Sequence, residues 1–199
     1  MTSWMHEDRL QAALDVVLAS GARSVLDLGC GNGDLFVRLA AQPGIRRLVG
    51  VDICADSLAQ LQARLARLPE VSARVDLRLG SMTTAQPALT GFDCAVLIET
   101  IEHIDPAHLS QLERALFGQM RPGMAVITTP NAEFNTLLGV PKHRFRHPDH
   151  RFEWPRARFQ TWGTRVAGAF GYAVVFSDIA GQHPDLGGAS QMAVFTQAD

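Results

Sequence analysis

Short apolar runs alternate with longer segments of helical periodicity along the chain. Seven runs are typical of buried strands, at 24–28, 47–52, 74–79, 92–98, 124–129, 172–177 and 191–196. Segments with apolar residues at helical spacing lie between them, at 34–41, 55–68, 106–120 and about 155–169, and a first helix is expected within 1–22. This alternation predicts an α/β fold, a doubly wound sheet of parallel strands with crossover helices.

The last two predicted strands are connected differently from the others. Only the Gly/Pro-rich stretch 181–188 separates them, and it is too short for a crossover helix. We therefore expect a mostly parallel sheet with an antiparallel last strand. The chain contains no internal repeat, low-complexity tract or linker, so 1–199 is expected to form a single domain, with 130–170 as an insertion followed by a helix.

Composition places the chain among globular proteins. It has 199 residues, 47% of them hydrophobic and 19% charged, which excludes disordered, collagen-like and disulfide-scaffold proteins. No apolar run is long enough to cross a bilayer and the start lacks a signal-peptide pattern, so we expect a cytoplasmic protein without a membrane partner. Cys30, Cys54 and Cys94 each lie in or just after an apolar run and are expected to be reduced thiols.

The net charge of −2 conceals a local basic segment. Residues 141–166 hold 7 Lys/Arg and 2 Asp/Glu, whereas 1–140 hold 11 and 15, and 167–199 hold 0 and 3. A basic segment inside an otherwise acidic protein favours a local site for an anion. The alternative is a solvated surface helix rich in arginine.

A glycine-rich motif directly follows the first predicted strand. It runs Asp27-Leu-Gly-Cys-Gly-Asn-Gly33, and Asp52 ends the second strand about 20 residues later. Glycines there let a ligand approach backbone N–H groups, and an acidic side chain at the next strand end can accept hydrogen bonds from ribose. The spacing is tighter than in dinucleotide sites, which favours a ligand without a pyrophosphate. Asp52 could instead only cap the helix that follows.

This motif resembles that of the Rossmann-like, seven-stranded S-adenosylmethionine-dependent methyltransferases. In that class the acid at the second strand end binds the cofactor ribose, and the loop that Gly80-Ser-Met82 resembles flanks the adenine. The resemblance implies S-adenosylmethionine as cofactor. The residues implied to bind it are Asp27, Gly29, Gly31, Gly33, Asp52, Ile53, Ser81 and Met82.

A second motif, Ile98-Glu-Thr-Ile-Glu-His-Ile104, lies at the carboxyl end of the fourth strand, where ligands of open parallel sheets bind. In a helical turn, Glu99, Glu102 and His103 project from one face. Two carboxylates and an imidazole in a small volume need a counter-charge, which a divalent cation supplies. Mixed oxygen and nitrogen ligands favour Mn²⁺, Co²⁺ or Zn²⁺ over Mg²⁺ without excluding it. The alternative is that these residues only shape a pocket.

A third constellation follows the fifth strand, in 128–135 and 145–154. Its histidines can complete a metal sphere, and its arginines and aromatic residues are a mixture that can neutralise phosphates and stack bases of single-stranded RNA. Alternatively, Phe152 and Trp154 anchor the following helix in the core. The residues expected to bind RNA are Asn131, Arg144, Arg146, Arg151 and Arg156.

Together, these segments resemble the small-RNA 3′-terminal ribose 2′-O-methyltransferases over nearly the whole chain. The most specific part is Arg146-His-Pro-Asp-His-Arg-Phe-Glu-Trp154. The resemblance implies metal-dependent methyl transfer to the 2′-hydroxyl of the 3′-terminal ribose, with Mn²⁺ or Mg²⁺, or Co²⁺, held by Glu99, Glu102, His103 and His150. His147 would assist as a base or hydrogen-bond partner.

The family resemblance also implies partners, and the motifs leave two rival functions open. The RNA 3′ end is the expected partner. Bacterial members usually carry a further half that engages an RNA end-healing and ligating protein, so such a partner is a further expectation. A small-molecule O-methyltransferase, acting on a catechol or quinone precursor, would share the first two motifs but needs a closed apolar pocket. A catalytically idle RNA-binding module would bind RNA regardless of chelator.

Overall fold

The computed structural model describes residues 4–68, 71 and 74–198. Seven strands form one sheet in the order β3-β2-β1-β4-β5-β7-β6. They are β1 (Ser24–Leu28), β2 (Arg47–Asp52), β3 (Arg74–Leu79), β4 (Cys94–Ile98), β5 (Met124–Pro130), β6 (Tyr172–Ile179) and β7 (Ser190–Gln197). Strand β7 is antiparallel to both β5 and β6, and the remaining pairs are parallel. The predicted fold class and antiparallel last strand are confirmed.

Helices flank the sheet near their predicted positions. They are α1 (Trp4–Ala19), α2 (Phe36–Ala40), α3 (Ala55–Leu65), α4 (Leu109–Glu113) and α5 (Arg156–Phe170). Helix α2 begins later than predicted because Asp34 belongs to the preceding turn, where its carboxylate pairs with His6 and Arg64. In the residues described, we find no helix that combines the length and the apolar character needed to span a membrane.

The predicted helix over 106–120 is three helical pieces of different pitch. A 3₁₀ turn (Pro106–His108) leads into α4, which continues as a π-helix (Arg114–Met120). The π-helix ends where the Arg121 N–H donates to the Leu116 carbonyl, 2.9 Å away, and Arg121 adopts a left-handed conformation at φ 46°. The periodicity of apolar residues predicted a helical segment but not its change of pitch.

Apolar side chains cover both faces of the sheet. Successive residues of a strand point to opposite faces, so Leu26 and Leu97 pack with one buried cluster and Val25 and Val96 with the other. This double burial explains why a central strand such as β4 is a continuous apolar run, whereas the edge strands β3 and β6 carry exposed residues. Cys30 and Cys94 are buried and Cys54 is exposed, all as free thiols, as expected.

The segment after β5 folds back over the carboxyl ends of the parallel strands. Residues Asn131 and Trp154 form a β-bridge, and the Arg151 N–H donates to the Glu102 carbonyl at 2.7 Å. Phe152 and Trp154 are buried and stacked, with ring centroids 4.2 Å apart. Their role is to anchor this segment in the core, which is the alternative that the sequence left open.

Candidate active site

Two adjoining cavities lie at the carboxyl ends of β1, β2 and β4. Their volumes are about 450 Å³ and about 220 Å³, and Gly29, Gly31 and Glu99 line both. Six of the eight predicted cofactor residues line at least one of them: Asp27, Gly29, Gly31, Asp52, Ile53 and Met82. Gly33 and Ser81 line neither.

Each glycine of the loop has its own structural reason. Gly29 has φ 77°, and an added Cβ would lie 2.3 Å from Thr100 Cγ2. At Gly33 a Cβ would lie 2.2 Å from Leu61 Cδ1, so this glycine lets α3 pack against the loop. Gly31 faces open space, with no atom within 4 Å of an added Cβ. Gly31 is therefore the glycine that leaves room for a ligand.

Asp52 holds the loop and lines the larger cavity at the same time. Its carboxylate accepts hydrogen bonds from the N–H groups of Gly31 and Cys54, both at 2.8 Å. The neighbouring Asp27 is buried, and this burial, followed by the charge of Asp52, raises the pKa of Asp27 to about 7. Ser81 instead lies 2.7 Å from the Thr83 hydroxyl, which orders its own loop.

Glu102, His103 and His150 converge at one edge of the larger cavity. Their candidate ligand atoms all lie within 4.8 Å of one another. Glu102 is completely buried, and one oxygen accepts from the Thr129 hydroxyl at 3.0 Å. The other oxygen, Oε1, has no hydrogen-bond partner in the described part of the chain. A buried, half-satisfied carboxylate beside two imidazoles is suited to bind a cation.

Electrostatics at this cluster also favour a cation. Burial, followed by repulsion from Glu99, raises the pKa of Glu102 well above its ordinary value. Burial, with repulsion from His150, lowers the pKa of His103. A neutral imidazole is the form that binds metal ions.

Glu153 fixes the orientation of His150. The ring Nδ1 lies 2.6 Å from Glu153 Oε1, and because a carboxylate only accepts, Nδ1 carries the proton and Nε2 is left with a lone pair. Glu153 also accepts from Asn135 Nδ2 at 2.6 Å and from the Arg146 N–H at 2.7 Å. Metal-binding histidines commonly have such a carboxylate partner.

Glu99 lies beside the three-residue cluster and is engaged by other partners. Its carboxylate accepts from the Thr128 hydroxyl at 3.0 Å and pairs with Arg9 of α1 at 3.1 Å. Its backbone is strained, with φ 49°. The structure thus brings three of the four predicted metal ligands together, and Glu99 borders them.

His147 lies at the rim of the cluster. Its ring centroid is 6.0 Å from that of His103 and 5.6 Å from that of His150. The Asp149 N–H donates to its Nδ1 at 3.2 Å, so the neutral ring carries its proton on Nε2.

The predicted RNA-binding residues divide into two groups. Arg144 and Arg151 are exposed, and Arg151 lines the larger cavity. The structure contradicts the prediction for Asn131, which is fully buried and donates to the Leu186 and Gly188 carbonyls. Arg146 and Arg156 are committed to protein acceptors.

Those acceptors explain why the two arginines face inward. Arg146 donates to Asn135 Oδ1 and to the carbonyls of Ala189 and Asn131. Arg156 is paired with Glu133 at 2.8 Å. Both arginines therefore stabilise the segment that follows β5.

Sequence reasoning missed Glu153, Thr129 and Arg9. The His-x-x-Glu spacing of 150 and 153 was a usable signal for Glu153, because a carboxylate three residues from a metal-binding histidine often orients it. Arg9 and Thr129 had no such signal, since only the packing of α1 and the register of β5 place them near the carboxylates.

Comparisons with known proteins agree with this geometry. The family described as "Methyltransferase domain" matches residues 25–123. A small RNA 2′-O-methyltransferase from Xenopus tropicalis is 40% identical, over 97% of this chain and 55% of its own length. The solved methyltransferase domain of bacterial CtHen1-C is 36% identical with a TM-score of 0.87, covering 98% of this chain and 100% of that one.

One further structure resembles the chain in fold alone. A chain of the Pnkp1/Rnl/Hen1 RNA repair complex is 20% identical with a TM-score of 0.67, covering 99% of this chain and 42% of that one. The chain spans about half the length of the curated relatives it matches. Because the likeness to the CtHen1 domain extends over both chains, and the Xenopus relative is 40% identical over 97% of this chain, the chain belongs to the small RNA 2′-O-methyltransferase family of S-adenosylmethionine-dependent methyltransferases.

Proposed function

We propose that this domain transfers the methyl group of S-adenosylmethionine to the 2′-hydroxyl of the 3′-terminal ribose of a small RNA, with Mn²⁺, Mg²⁺ or Co²⁺ as a required ion. The observation that carries the proposal is the convergence of Glu102, His103 and His150 beside the cavity that the glycine loop lines. His150 comes from a segment that is distant in sequence from Glu102 and His103.

The residues present fit a divalent cation. Glu102 Oε1 is buried and has no hydrogen-bond partner among the residues that the structure describes, and Glu153 leaves the Nε2 lone pair of the neutral His150 ring available. Glu99 is the proposed fourth ligand, because its charge already acts on Glu102. When bound, the cation would lower the pKa of the ribose hydroxyl and offset the negative charge of the site.

The chain's own residues bind and orient the two substrates. Gly31 leaves space for the cofactor, and Asp52 can accept hydrogen bonds from the cofactor ribose through its remaining lone pairs. Of the two roles open to His147, the tautomer favours a hydrogen-bond donor through Nε2 over a base. Arg151, at the cavity, and Arg144, on the adjoining loop, are placed to bind phosphates.

The lining of the cavity disfavours a small-molecule O-methyltransferase. That alternative needs a closed apolar pocket over the strand ends. The larger cavity instead presents ionisable side chains from several elements. They include Asp52, Glu99, His103, Asp149 and Arg151.

The test is methyl transfer from radiolabelled S-adenosylmethionine to synthetic RNAs that differ only at the 3′ end. We expect transfer to a 3′-hydroxyl end, none to a 2′-deoxy end, little to a 3′-phosphate end, and loss of transfer with chelator. Glu102→Ala should abolish transfer while calorimetry still detects cofactor binding. Equal methylation of all three ends would contradict the proposal, and transfer that survives the chelator would remove its metal requirement.

We also propose a protein partner of the RNA end-healing and ligating class. The proposal is supported by the Pnkp1/Rnl/Hen1 RNA repair complex, in which one chain has the same fold as this domain. Co-purification of the tagged protein from its native host, followed by mass spectrometry, tests it. Recovery without any protein that acts on RNA ends would count against it.

A further inference from the structure

A cavity of about 680 Å³ lies between α4 and α5, away from the residues that line the two cofactor cavities. Its volume is within the range of about 300–1,000 Å³ that is usual for small-ligand sites. We refer to it as the α4–α5 groove. The residues of its walls that matter here are Leu109, Glu113, Trp154, Arg158, Trp162 and Arg165.

The floor of the α4–α5 groove is rigid and already formed. Glu113 is buried and accepts from Trp162 Nε1 at 2.8 Å and from Arg165 Nη2 at 2.6 Å. Both donors belong to α5 and the acceptor to α4, so these bonds fix the distance between the walls. A ligand would find the groove open without first having to separate the helices.

Two polar groups of the α4–α5 groove have no hydrogen-bond acceptor from a side chain within the described ranges. The exposed guanidinium of Arg158 forms no ion pair or side-chain hydrogen bond within the described ranges, and its Cζ lies 5.2 Å from the Trp154 ring centroid. Trp154 Nε1 is buried and likewise lacks an acceptor among the described residues. A ligand with a negative charge and hydrogen-bond acceptors on an apolar ring would complement these groups.

Both chain segments of the metal cluster lead directly into this groove. Pro106, in one wall, is three residues beyond His103, and Trp154, in the other, is four residues beyond His150. This end of the groove is therefore within reach of an RNA whose 3′-terminal ribose lies at the cluster. Arg165 is paired with Glu113, so Arg158 is the guanidinium of the groove walls that is left to bind a phosphate.

We propose that the α4–α5 groove binds the nucleotides that immediately precede the 3′-terminal one, with a base against Leu109 and the tryptophans and a phosphate on Arg158. This inference rests on the proposed function, since it takes an RNA end as the substrate. In this proposal the groove recognises the length of the RNA, and the terminal ribose is recognised elsewhere.

The test compares a nucleoside, which has no preceding nucleotide, with a dinucleotide and progressively longer single-stranded RNAs, each ending in a 3′-hydroxyl. For the wild type, KM should fall with length until the groove is filled. Arg158→Glu should raise KM for the RNAs that reach the groove about tenfold, leave KM for the nucleoside and kcat unchanged, and reduce the slope of log KM against log salt by about 0.7. Arg67→Glu, the same charge change on the exposed turn after α3, should behave as wild type.

A second variant tests the groove by filling it rather than by changing its charge. Thr161 is an exposed residue of the groove, so Thr161→Trp should fill it and remove the same dependence on length. If both variants keep the wild-type KM for every RNA, the groove does not bind RNA and the inference is wrong. That result is also the one expected if the groove binds a protein instead. If the wild type methylates no RNA of any length, the proposed function itself fails and takes the inference with it.

Discussion

Replacing Glu153 by glutamine should weaken cation binding without unfolding the domain. The Glu153 side chain is only 1% exposed, and its two oxygens accept three hydrogen bonds. In Glu153→Gln the amide oxygen can still accept from His150 and from the Arg146 N–H. The amide nitrogen, however, would face Asn135 Nδ2, and two donors cannot bond. Asn135 cannot turn over to relieve this, because its oxygen accepts from Arg146 Nε.

The expected loss of metal affinity follows from the number of hydrogen bonds that each substitution removes. Loss of a carboxylate that orients a metal-binding histidine typically lowers affinity about 10–100-fold, which is about 1.4–2.7 kcal/mol. Glu153→Gln keeps the bond to His150, so we expect about tenfold. Glu153→Ala removes both acceptor oxygens with all three hydrogen bonds, so the loss of affinity should approach about a hundredfold, with a loss of about 1–3 kcal/mol in unfolding free energy for the donors left buried.

Manganese titrations followed by electron paramagnetic resonance would measure the affinity, and thermal unfolding without metal would measure stability. Glu133→Gln is the matched control, because Glu133 lies in the same segment and pairs with Arg156 rather than with His150. It should lower Tm and leave the manganese affinity unchanged. A folded Glu153→Gln protein with wild-type affinity would refute the reasoning.

Other predictions concern the glycine loop and its two acids. Gly29→Ala combines backbone strain with the contact to Thr100 and should cost about 2–5 kcal/mol in urea unfolding, against about 1–2 kcal/mol for Gly21→Ala, where an added Cβ meets nothing within 4 Å. Because the folded pKa of Asp27 is about 7, above about 4 for an unfolded aspartate, the wild type loses stability as pH rises between these values. Asp27→Asn should remove that loss, and unchanged pH dependence would contradict the assignment. Asp52→Asn leaves the N–H of Gly31 or Cys54 without an acceptor and should weaken cofactor binding about tenfold or more by calorimetry.

Much of the fold could be predicted because the sheet is buried on both faces. Its central strands β4 and β5 are therefore largely apolar runs, and the polar residues at their carboxyl ends mark the site. Glu102 and His103 were predictable because they directly follow β4. His150 was identified by family resemblance, since no periodicity relates a loop residue to His103, 47 positions earlier in the chain. Its proximity depends on the bridge between Asn131 and Trp154.

Asn131 and Arg146 point to protein acceptors rather than to solvent for a physical reason. Polar residues in a charged loop are expected to face solvent, but a loop that packs over strand ends must satisfy its own buried carbonyls. Arg146 supplies donors to the carbonyls of Ala189 and Asn131, and the Asn131 amide supplies them to the opposite loop. Whether a side chain in such a loop points inward depends on the backbone conformation of the loop, which cannot be read from its composition.

The same assignments change how much of the basic segment can reach RNA. Of the seven Lys and Arg residues in 141–166, three are paired internally, namely Arg146, Arg156 and Arg165. The remaining four form no ion pair in the part of the chain that the structure describes, and they are Lys142, Arg144, Arg151 and Arg158. Since each neutralised phosphate of a single strand contributes about 0.7 to the salt dependence, log K against log salt should have a slope of about −3 rather than about −5. A slope near the steeper value would mean that Arg146, Arg156 and Arg165 leave their carboxylate and carbonyl partners when RNA binds.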